Sequence, residues 1–149
     1  MFTTEFEMYH RDTTKPVKVI INQDDEFYFV MVDGEYIGSM VHDDKADFGF
    51  EAEETALIPY LEGISGHFKE QSKKSDFEDT LTVVHGDKIV STLFINDETL
   101  EVAISPETNL EEFAAKIQES FYDIVSFETR LNVILSKEGE DSTIEIGIN

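Results

Sequence analysis

The chain has 149 residues, with 33 Asp and Glu against 11 Lys and Arg, giving a formal net charge of −22 at pH 7. It contains no Cys, which excludes a disulfide framework, a Cys-ligated metal centre and a cysteine nucleophile. Twelve Phe and five Tyr separate it from solvating acidic tails, and a chain of this length can bury about 70% of its unfolded surface as one domain.

Phe2, Thr4, Phe6 and Met8 alternate with Thr3, Glu5 and Glu7, the period of a half-buried strand. Pro16 breaks the chain before Val17-Lys18-Val19-Ile20-Ile21, and Asn22-Gln23-Asp24-Asp25 reads as a turn. Phe27-Tyr28-Phe29-Val30-Met31-Val32 is apolar on both faces and predicts a central strand covered from two sides. Asp33-Gly34 follows directly and predicts a tight hairpin, because Gly accepts positive φ, with Glu35 to Val41 as the return strand. After the polar stretch His42 to Asp47, Phe48-Gly49-Phe50 reads as a short strand. Leu57, Leu61, Ile64 and Phe68 then recur at helical spacing. Pro59 fits only a first turn, so this helix should begin near Ile58. Gly63 and Gly66 weaken it, and Lys69, Lys73 and Lys74 fall in its last turns, where cations suit the helix dipole.

The second part reads as a strand at Leu81-Thr82-Val83-Val84, a hairpin turn at His85-Gly86-Asp87 and a strand from Ile89 to Ile95. Asn96-Asp97-Glu98 turns the chain into the alternating Leu100, Val102 and Ile104. Thr108-Asn109-Leu110-Glu111 is a T-x-x-E capping box, and Leu110, Phe113, Ala114, Ile117, Phe121 and Ile124 mark one apolar helix face. Leu131, Val133 and Leu135 alternate in one last strand and Ile144, Ile146 and Ile148 in another, joined through Glu138-Gly139-Glu140-Asp141. Hairpins dominate and βαβ alternation is absent. The expected fold is therefore α+β, with mainly antiparallel sheets of hairpins packed against two amphipathic helices. One acidic domain is expected over residues 1–149, with any seam between subdomains near 72–79.

The negative field repels nucleic acid and anionic lipid, so the partner this charge suits is a protein with a basic surface. No stretch approaches the roughly 18 apolar residues of a membrane helix. The first residues carry acids where a signal peptide is basic, so a cytoplasmic address is expected. No cofactor is implied, since phosphate-cradling glycine loops, nucleophile elbows, H-E-x-x-H and the dinucleotide fingerprint are all missing.

His42, Asp43, Asp44 and Asp47 are the candidate metal ligands, one imidazole and three carboxylates within six residues. They match no EF-hand, and Lys45 among them opposes a cation. His85 lies two residues from Asp87 but sits between apolar runs as a turn. His10 and His67 have no sequence neighbour that would orient a ring. Aromatic residues concentrate around the first hairpin, with Tyr28 and Tyr36 as candidate contact residues for a partner or a homodimer. The reading is a non-catalytic binding protein. Its alternatives are a DNA-mimic inhibitor of a nucleic-acid-binding protein and a small enzyme using a carboxylate pair.

Overall fold

The computed structural model describes residues 2–9 and 14–149, so His10 and Arg11 lie outside the described residues. The fold is α+β, and the chain divides into two compact units, one ending at Lys69 and the other running from Glu70 to Asn149.

The first unit is an antiparallel sheet of five strands in sequence order: β1 (Phe2–Tyr9), β2 (Pro16–Asp24), β3 (Phe27–Val32), β4 (Glu35–His42) and β5 (Phe50–Ala52). Asp33 and Gly34 both take positive φ, 51° and 83°, which is what a two-residue hairpin between twisted strands requires. One face of the sheet carries Val17, Val19, Ile21, Val30, Val32 and Met40 into the core. That face is closed by Leu57 from a 3₁₀ helix (Thr55–Tyr60) and by Leu61 and Ile64 from the start of α1 (Leu61–Val84). Pro59 lies inside the 3₁₀ helix, so the α-helix begins just beyond it. Gly63 lies under the thioether of Met8, where a Cβ would collide with the sulfur and methyl, so a residue that costs helix propensity admits the strand side chain.

A register shift on β4 sets which residues face inward. Met31 pairs with Tyr36 and Val30 with Gly38, so Ile37 is an extra residue. The bulge is held by Glu54, whose carboxylate accepts a 2.9 Å bond from the Ser39 N–H and leaves no room for a Cβ at Gly38.

The second unit has a four-stranded sheet, β6 (Ile89–Asn96), β7 (Thr99–Ile104), β8 (Leu131–Lys137) and β9 (Ile144–Ile148), with α2 (Leu110–Ile124) between β7 and β8. β7 and β8 run parallel and the other pairs antiparallel. This is a βαβ crossover, contrary to the expectation that none exists: α2 returns the chain so that β8 enters in the direction of β7. Phe77 and Leu81 of α1 and Phe113, Ala114, Ile117 and Phe121 of α2 are buried together with the inward residues of the four strands.

Three local expectations are corrected here. Leu81 to Val84 is not a strand but the last turn of α1. Leu81 is buried four residues after Phe77, while Val83 and Val84 stand 83% and 54% exposed, so the apolar run has one buried member at helical spacing. Consequently His85-Gly86-Asp87 joins a helix to a strand and is not a hairpin turn. Second, the cap of α2 is Asn109, whose side chain accepts from the Glu112 N–H at 3.0 Å, one residue later than the Thr108 capping box predicted. Third, Lys74 does not serve a helix C-terminus, because α1 continues ten residues beyond it. It is buried (2% exposed) and donates to the carbonyl oxygens of Asp97 at 2.7 Å and Arg130 at 2.9 Å.

That lysine belongs to a polar clasp around the irregular segment leading into β8. Glu70 accepts from the N–H groups of Glu128 and Thr129, and Asn149 donates to the carbonyls of Phe127 and Thr129. Backbone outside helices and sheets still has to be paired, and here side chains from α1 and the chain end do it.

Candidate interaction surface

The expectation that β3 is covered from two sides is corrected by the first unit. Only one face of its sheet meets the helical elements of that unit. The strand registers place three rows of residues on the other face. One reads Glu5, Ile20, Met31, Tyr36; the next Thr3, Asn22, Phe29, Ser39; the third Asp24, Phe27, Val41, Glu51. Apolar side chains thus concentrate on β3 and its neighbours, Glu5, Asp24 and Glu51 stand at the margins of two rows, and Thr3, Asn22 and the buried Ser39 flank Phe29 in the other. Ile20, Phe27, Phe29, Met31 and Val41 remain partly accessible, and Tyr36 is 53% exposed. The rings are arranged in file, with Phe27 and Phe29 centroids 6.3 Å apart and Phe29 and Tyr36 6.4 Å apart. Lys18, beside this file, is engaged by Glu5 at 2.7 Å, and that hydrogen bond holds its ammonium above the ordinary lysine range.

Tyr28 and Tyr36 therefore part company. Tyr36 lies on the accessible face, whereas Tyr28 turns to the core and packs edge-on against Phe50 and Phe68 at 5.3 and 5.9 Å. Sequence reasoning placed Phe29 in the aromatic cluster of the first hairpin but singled out only the tyrosines as contacts, and did not select Met31. The signal that could have found Phe29 and Met31 was the strand period: a run apolar at every position has to place half its side chains opposite the core.

The His42–Asp47 segment is an exposed loop closed by its own backbone. The Asp43 side chain accepts from the Lys45 N–H at 3.0 Å, and the Asp43 N–H bonds to Gly49 O at 2.9 Å. His42 Nδ1 lies 3.5 Å from Asp44 Oδ1, with both side chains exposed, and the His42 ring is edge-on to Phe50. Among the described residues no three His, Asp or Glu side chains gather as ligands would.

Elsewhere, two histidines and a lysine have partners within the fold. His67 stacks on Phe6 at 3.8 Å and bonds Thr4 Oγ1 at 2.9 Å. His85 Nε2 sits 3.2 Å from Ser120 Oγ, and burial, with Lys88 and Lys116 nearby, keeps its ring below the ordinary imidazole range. A shallow pocket of about 450 Å³ at the start of α2 is lined by Asn109, Glu111, Lys137, Glu140 and Ser142 among others. Its lysine is committed to Thr108 O at 3.0 Å and Glu140 at 3.1 Å. Among the described residues no helix is long and apolar enough to cross a membrane. No family model, curated protein or solved structure matches this chain.

Proposed function

We propose that this is a non-catalytic binding protein that engages a basic protein partner through the open face of its five-stranded sheet. The supporting observation is the file of Phe27, Phe29, Met31 and Tyr36 with Ile20 and Val41, flanked by Glu5, Asp24 and Glu51. Clustered apolar side chains in an acidic margin suit a partner with an apolar centre and a basic rim. The centre supplies affinity by losing water, and the rim supplies steering and selection. A negative charge of this size also disfavours nucleic acid or anionic lipid as the occupant.

The test places a photo-crosslinking phenylalanine analogue at Phe29, and at the 93% exposed Tyr122 of α2 as control, in the native cell extract. The Phe29 probe should capture a protein of net positive charge, with less captured as salt rises. Equal capture at both positions, or capture of acidic proteins only, would count against the proposal.

A further inference from the structure

The two sheets present four edge strands, and three of them are guarded. β5 has three residues, β1 carries Glu5 and Glu7, and β9 is a five-residue strand with Glu145 inside it. Short length and charge are the usual ways of keeping an edge from pairing with another chain. β6 has neither. It is an eight-residue edge, Ile-Val-Ser-Thr-Leu-Phe-Ile-Asn, without charge or proline. Val90, Leu93 and Ile95 on it are 67%, 62% and 53% exposed. Extra residues at Val90 and Ile95 in the pairing with β7 frame a regular run from Ser91 to Phe94.

The ends of this strand differ in sign. At its head Lys88 and Lys116 crowd together, beside Asp87. At its foot the chain turns through Asp97-Glu98. Two copies laid antiparallel put each head against the other's foot, so the crowded lysines meet carboxylates at both ends. Such a pairing is two-fold and closed, because both copies contribute the same edge.

We propose that β6 pairs antiparallel with β6 of a second copy, with Leu93 near the two-fold axis and Lys88 facing the partner's Asp97-Glu98 turn. The surface lies in the second unit and is independent of the open face of the five-stranded sheet. Long-range repulsion between two strongly acidic copies opposes this contact, so added salt strengthens it, the reverse of binding to a basic partner.

Sedimentation equilibrium of the full chain at low and high salt tests this. The expected result is a monomer–dimer equilibrium that shifts toward dimer as salt rises. Leu93→Lys, at an exposed position, should keep the fold by circular dichroism and weaken the dimer by about tenfold or more. Lys88→Glu should weaken it by about threefold, and adding Glu98→Lys in the same chain should restore it. A chain that stays monomeric at all concentrations overturns the proposal. So does a dimer indifferent to Leu93→Lys, or one that the double exchange fails to restore.

Discussion

Lys74 shows how a single side chain can change meaning between sequence and structure. In the sequence it is one of three lysines at the end of a short helix; in the fold its ammonium is enclosed and holds the carbonyls of Asp97 and Arg130. Nothing local distinguishes it from Lys73, because its partners lie 23 and 56 residues away. Lys74→Met should leave two carbonyls unpaired and cost about 1–3 kcal/mol in urea denaturation. Burial lowers the ammonium's pKa below its usual 10.5. Between the lowered value and 10.5 the unfolded chain therefore binds more protons than the folded one, and stability rises with pH through that window. Wild type measured against Lys74→Met should gain stability as pH rises toward 10.5; a loss would mean that the ammonium is stabilised where it sits. The helix glycines give a second residue-scale expectation. Gly66→Ala, which meets open space, should stabilise by up to about 1 kcal/mol, and Gly63→Ala by less because the Met8 thioether must move. Equal thermal shifts for the two would show that the Met8 contact is unimportant.

Among the elements, those fixed by nearest neighbours were legible. The Asp33-Gly34 hairpin, the apolar face of α2 and the alternation of β8 follow from turn chemistry and period alone. What escaped depended on distant atoms. The Ile37 bulge needs Glu54, fifteen residues from the Ser39 N–H it accepts, and it brings Met40 inward while Val41 faces out. Without it, counting from the turn would put Met40 and Val41 on the wrong faces, whereas Tyr28 and Tyr36 differ in parity whether or not the bulge is known. The end of α1 was misread because Leu81 to Val84 has strand composition, yet tertiary burial of Phe77 and Leu81 decides for helix. The cap of α2 offers a check at this scale. Asn109→Ala should destabilise by about 0.5–2 kcal/mol, and Thr108→Ala by less, since the Asn109 side chain holds the Glu112 N–H. The reverse order in chemical denaturation would return the cap to Thr108.

For the whole molecule, charge and shape make separate claims. Among the described residues, lysine–carboxylate pairs join Lys18 to Glu5 and Lys137 to Glu140, so cations locally neutralise only a small part of the acidic surface. Melting temperature should therefore climb with added NaCl, as screening over a Debye length of about 8 Å at physiological salt relieves repulsion. A flat curve in calorimetry would mean that the acids are neutralised locally after all. The claim about shape is stronger, since the apolar file lies on the sheet face opposite the first unit's own core and stays partly accessible. Titration calorimetry of the partner captured at Phe29, comparing wild type with Phe29→Asp, tests it most directly. Phe29→Asp should leave the fold unchanged and lose about 2 kcal/mol or more of binding free energy, the scale of a central interface residue. An affinity that Phe29→Asp leaves intact would contradict it.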